Sequence, residues 1–291
     1  MGWRRDGSGR YPDAKPLAKW SMEENLVWKT ELPGGSPASP VLVGDRLFVL
    51  SDPALLLCLD ASSGKVLWQR GHTAAALGDA AVAEAGDAAP THNPDGNAGS
   101  AASTPVCDGR FVYAMFANGI VSAHGLDGKR RWVRFIEKPK TTFGHASSPV
   151  LAGGRLIVQF RDLVALDAGT GKDAWRAGLP VTHASPAVTR VGDVDLLVHP
   201  SGSILRARDG HVVAQGLFQL RQSSPVVDGQ VIYANEKGKL KALRLPDSVG
   251  ETLDVKLLWD VPVPRGQYQI ASPVVHDGCI YTISLNGSGS R

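Results

Sequence analysis

Imidazoles and a guanidinium flanked by amides are the side chains that could do chemistry in this sequence, provided the fold gathers them. Six prolines follow a small polar residue, at Pro40, Pro105, Pro149, Pro186, Pro225 and Pro273. The positions four and three residues before them hold His145, His183, Arg221, Gln222 and Gln269. If the strand after each proline is the innermost of its sheet, these side chains encircle one mouth of a central channel, and His92 can join them from a long loop. Such a ring is polar and partly cationic, suited to an anionic or polyhydroxylated ligand or to the tip of a partner's loop. The plainer alternative is a channel mouth that is simply wet. Phe143 and Tyr268 precede inner strands and belong on the same mouth, either as a partner-facing aromatic patch or as core plugs.

Other chemistries lack their signatures. There is no GxSxG, no HExxH, no P-loop and no GxGxxG between strand and helix, and the eight histidines do not pair at metal-ligand spacing. Cys58, Cys107 and Cys279 are far apart, with no CxxC, and read as small buried hydrophobes that leave the redox compartment open. A net charge of +3, with clusters no longer than Lys129-Arg130-Arg131, argues against nucleic-acid binding. No apolar run approaches the roughly 18 residues of a membrane span. The opening MGWRRDGSG has no apolar core of a signal peptide, which fits a cytoplasmic chain or one whose leader was removed.

The elements that must position these residues come from a repeat. Its clearest copy is Ser147 to Trp175: a Ser-Ser-Pro start, a Gly153-Gly154 turn, a run from Leu156 to Phe160, an alternating run from Leu163 to Leu166, an Asp167-x-x-Thr-Gly171 turn and a closing Trp175. That predicts four short strands joined by tight turns. The Asp side chain can accept backbone N–H groups two and three residues on, and Gly171 supplies a positive φ. A unit of about 40 residues recurring along the chain is the signature of propeller blades. The closing tryptophans Trp28, Trp68, Trp132, Trp175 and Trp259, with Asp60, Gly64, Asp167 and Gly171 of the turns, are expected to dock one blade on the next; Ala214 fills the Trp slot of the fourth copy.

The fold class is therefore all-β, a β-propeller of four-stranded antiparallel blades. Residues 1–25 read as an irregular leader and 26–291 as the propeller. Residues 26–32 are expected to be an outer strand that closes the last blade. Blades are placed at about 36–71, 100–136, 143–179, 181–217, 219–264 and 267–291, with a long insertion at 72–99. The sixth ends in GSGSR after two strands, so seven or eight blades are expected in the intact protein.

The pattern in CLDASSGKVLW and ALDAGTGKDAW resembles the tryptophan-docking repeat of the PQQ-binding-like, quinoprotein-type β-propellers, over nearly the whole chain after residue 20. More narrowly, WRRDGSG and the run from PTHNPDGNAG to KRRW resemble bacterial secreted repeat proteins of the planctomycete type. The superfamily includes BamB-like scaffolds and PQQ-dependent dehydrogenases, so the resemblance implies the fold far more than an activity. It implies a periplasmic or secreted, monomeric, non-catalytic module that binds a protein, peptide or small polar ligand, with no cofactor. The alternative is an oxidoreductase using PQQ with Ca²⁺. Against it, the adjacent Cys-Cys pair usual in PQQ alcohol dehydrogenases is missing, as is a recognisable acidic Ca²⁺ set.

Overall fold

The computed structural model describes residues 1–9, 11, 14–73, 99–140, 146–236, 238–263 and 270–283. All regular structure among them is β. The first sheet comprises β1 (Val41–Val43), β2 (Arg46–Ser51), β3 (Leu55–Asp60) and β4 (Val66–Gly71); the second comprises β5 (Val106–Cys107), β6 (Phe111–Met115), β7 (Ile120–Gly125) and β8 (Arg130–Phe135). The third holds β9 (Val150–Ala152), β10 (Arg155–Gln159), β11 (Leu163–Asp167) and β12 (Asp173–Ala177), and the fourth β13 (Ala187–Val191), β14 (Val194–Val198), β15 (Ile204–Arg206) and β16 (Val212–Ala214). The fifth contains β17 (Val226–Asp228), β18 (Val231–Glu236), β19 (Lys239–Arg244) and β20 (Lys256–Pro262); β21 (Val274–His276) and β22 (Cys279–Tyr281) pair alone. Every four-stranded sheet is an antiparallel meander in chain order, as the repeat predicts.

Burial explains the composition of each strand. The middle strands are apolar on both faces because both are covered: in β3, LLLCLD, the four central residues are buried, Leu56 and Cys58 against the second sheet and Leu57 and Leu59 beside Leu32. The outer strands are more exposed, and β4 turns only Trp68 and Gly71 partly inward. Where strand three meets strand four, all five sheets carry a register shift. The residue just before it faces the closing position: Cys58 opposite Trp68, Ala123 opposite Trp132, Ala165 opposite Trp175, Ile204 opposite Ala214 and Ala242 opposite Trp259. A bulge twists its strand and re-aims a side chain, here the indole that reaches the next sheet.

The chain divides into two compact units, Met1–Arg5 with Arg10–His145 and Asp6–Gly9 with Ala146–Arg291. In the first, Phe48, Leu50, Leu56 and Cys58 pack on Val112, Ala114 and Phe116 of the second sheet. In the second, Ile157, Leu163 and Ala165 meet Leu197, Leu205 and Ala207, while Val198, Ile204 and Phe218 meet Ile232, Ala234 and Leu243. Burial of such side chains is the main stabilising term.

Residues 26–32 form no sheet ladder among the described residues. They are held by side chains instead: Trp28 Nε1 donates to Ala61 O (3.0 Å), Thr30 Oγ1 to Gly64 O (2.7 Å), and Leu32 packs beside Val49, Leu57 and Leu59. Most of the 72–99 insertion lies outside the described residues.

Candidate functional site

The joints between sheets are built from two recurring contacts. In the first, an indole lies on the glycine of the next sheet's Asp turn and its N–H caps a carbonyl there. Trp68 donates to Leu126 O and Trp175 to Ala207 O, both at 3.0 Å. The turn is rigid because its aspartate gathers the local donors. Asp60 Oδ1 accepts from the N–H and hydroxyl of both Ser62 and Ser63 at 2.6–3.1 Å, and those hydroxyls in first place hold its pKa at about 2. Asp167 does the same with Thr170, whose hydroxyl holds the carboxyl below the usual range.

The second contact uses the residue immediately before each proline. Ser39 N donates to Thr104 Oγ1 (3.1 Å) in the first unit. In the second unit Ser148 N donates to Ser185 Oγ (2.8 Å), Ser185 N to Ser224 Oγ (2.9 Å) and Ser224 N to Ser272 Oγ (2.9 Å). Inner strands need a partner for N–H groups that no strand pairs on that side, and a short hydroxyl supplies it. Replacing Ser224 by Ala strands the buried Ser185 N–H; a loss of about 1–3 kcal/mol in urea unfolding is expected, against a negligible change for Thr252→Ala, whose side chain is exposed.

Of the expected channel-mouth residues, His183, Arg221 and Gln222 are described; His92, Phe143, His145, Tyr268 and Gln269 lie outside the described residues. His183 N donates to Arg221 O (2.9 Å), so the stretches leading into β13 and β17 run side by side. Arg221 is exposed, while His183 and Gln222 are half-buried. This is an accessible polar edge.

Three other histidines, which no local spacing singles out, are deeply buried. His72 Nδ1 faces Ala54 O (3.3 Å), and its Nε2 meets Ser122 Oγ (2.8 Å) and His124 Nε2 (3.1 Å), with Phe116 stacked 4.6 Å away. Asn118 Nδ2 caps His72 O (2.9 Å). His199 lies between Gln159 Oε1 (3.0 Å) and Ser201, whose N–H and hydroxyl sit 3.1 and 2.8 Å from Nδ1. Burial first of all pushes these imidazoles down, His72 to about 3 and His124 and His199 to about 4. They are neutral packing groups joining neighbouring sheets.

Residues 21–205 match the family model described as outer membrane protein assembly factor BamB. The chain belongs to that family. It is 32% identical over 224 residues to the outer membrane protein assembly factor BamB of Alkalilimnicola ehrlichii, covering 72% of this chain and 51% of that protein. A polyvinylalcohol dehydrogenase of a Sphingopyxis species is 25% identical over 169 residues, covering 52% of this chain and 23% of the dehydrogenase. The chain thus spans about half or less of the curated relatives it matches. Among solved structures, BamB from Moraxella catarrhalis superposes with a TM-score of 0.62 at 17% identity, over 90% of this chain and 73% of the other; this likeness concerns the propeller fold.

The fold is shared with quinohemoprotein alcohol dehydrogenases. Trp28, Trp68 and Trp175 spend their indole N–H groups on neighbouring turns, and the cysteines are free and dispersed, Cys58 and Cys107 buried and Cys279 exposed. No cluster of three or more His, Cys, Asp or Glu suited to a metal occurs among the described residues.

Proposed function

We propose that this BamB-family chain is a non-catalytic propeller module that binds a protein partner outside the cytoplasm, in outer-membrane protein assembly, as its relatives' name says of them. The observation that supports it most is how the chemistry-bearing interior is used. Tryptophans and histidines that a cofactor site would need are committed to holding sheet against sheet, while the polar edge of His183, Arg221 and Gln222 stays accessible. A rigid scaffold with adaptable polar groups at its strand-entry edge is what a docking surface requires. Among the described residues no helix is long and apolar enough to cross a membrane.

A photoreactive residue placed at Arg221 or Gln222 in the full chain, in its native host, should give a discrete protein adduct, and one placed at exposed Lys65 should not. The dehydrogenase match supports a second reading, a PQQ oxidoreductase. Titration with PQQ and Ca²⁺, following tryptophan fluorescence and dye-linked turnover of alcohols, decides between them. No saturable quenching is expected; quenching with turnover, and no adduct at either position, would overturn the scaffold.

A further inference from the structure

We propose that the turns of the third and fourth sheets form a separate binding site for the carboxylates of an acidic peptide segment. The site lies at the far end of β13 from His183, where the β9–β10, β13–β14 and β15–β16 turns enclose a cleft of about 490 Å³. Three guanidiniums line it, Arg155, Arg206 and Arg208, with Asp193, Asp195 and Asp209.

The donors and acceptors in this cleft are unevenly used. Asp195 is held by Arg190 Nε (2.6 Å) and by Gly153 N (2.9 Å), and Asp209 by Arg206 through Nε (3.2 Å) and Nη2 (3.0 Å). Arg155 gives Nη1 to Asp167 (3.1 Å), and its buried Nε has no acceptor. Arg208 is exposed and makes no ion pair among the described residues. A guanidinium keeps all five N–H donors at any ordinary pH, so exposed Arg208 offers an open fork to the oxygens of an anion.

The corresponding joint in the first unit directs its arginine elsewhere. There Arg46, which opens β2 as Arg155 opens β10, spends Nη1 on Leu126 O, the carbonyl that also caps Trp68. In the second unit the equivalent carbonyl, Ala207 O, takes Trp175, and Arg155 turns to Asp167 instead. A planar carboxylate matches the guanidinium fork.

The test is fluorescence anisotropy of a labelled hexaglutamate peptide with the full chain at low salt. Arg208→Ala should weaken binding about tenfold, Asp193→Asn should tighten it about threefold by removing a rim charge, and Arg244→Ala on β19 should leave it unchanged. Hexalysine should not bind. Equal weakening by Arg244→Ala, no tightening by Asp193→Asn, or displacement by inorganic phosphate as effective as unlabelled peptide would each overturn the assignment. None of these results bears on adducts at Arg221, so the site stands or falls apart from the scaffold reading.

Discussion

Between pH 6.5 and 5.5 the urea midpoint of the full chain should fall steeply, above the range in which most carboxylates protonate. His72, His124 and His199 are neutral in the fold, lowered to about 3, 4 and 4 first by burial and, for His72, next by His124. In the unfolded chain each titrates near 6.5. The unfolded state therefore takes up protons first: the contribution is complete above pH 6.5 and is lost as the pH falls toward the folded values. Each imidazole adds a slope of about 1.4 kcal/mol per pH unit, roughly 4 for all three, against a typical total stability of about 5–15 kcal/mol.

The geometry gives the reason. A proton on His199 Nδ1 would face the Ser201 N–H 3.1 Å away, and charging both His72 and His124 would set two buried cations with their Nε2 atoms 3.1 Å apart. Asp60, held at about 2, and Asp167, held low by the Thr170 hydroxyl, release their contributions only at lower pH, so the window belongs to the histidines. His199→Gln should lower the slope by about 1.4 kcal/mol per pH unit while keeping a polar partner for Gln159. A midpoint flat across this window, or a slope that His199→Gln leaves unchanged, would contradict the account.

How much of this was legible in the sequence depends on whether an interaction is local. The Asp-x-x-Thr-Gly turns and their strands were legible because Asp167 and Thr170 are three residues apart and make their own hydrogen bonds. The bulge opposite each tryptophan was not, since it appears only once strands three and four are paired. The same holds for the buried histidines. His72 and His124 are 52 residues apart and meet because the first and second sheets stack, a distance at which ligand-spacing rules are silent. The inter-sheet hydroxyls left a signal that could have been read: Ser39, Thr104, Ser148, Ser185, Ser224 and Ser272 all precede the repeat's proline. Their recurrence served to count copies, when a short hydroxyl at one register position also implies a common acceptor. The cleft at the third and fourth sheets was hidden because Arg155 and Arg46 occupy the same repeat position and differ only in what their side chains find.

The docking of indole on glycine carries the largest single-residue effect. Gly210 has φ +74°, and a Cβ built there would lie 2.7 Å from the Trp175 ring; the same collision arises at Gly64 with Trp28 (2.4 Å) and at Gly128 with Trp68 (2.7 Å). Gly210→Ala therefore faces left-handed backbone strain and an overpacked joint together, and should cost about 3–5 kcal/mol in urea unfolding. Gly154 separates the two causes, because it has φ +73° with nothing within 4 Å of its Cβ. Gly154→Ala should cost only about 1–2 kcal/mol, the backbone share. Trp175→Ala removes the indole and its bond to Ala207 O, so it is destabilising by itself. In the double variant, however, the alanine at 210 no longer meets a ring, and the combined loss should fall short of the sum by about 1–3 kcal/mol. If the two losses simply add, Gly210 is required for its backbone alone, and the tryptophan is not what fixes glycine at this turn.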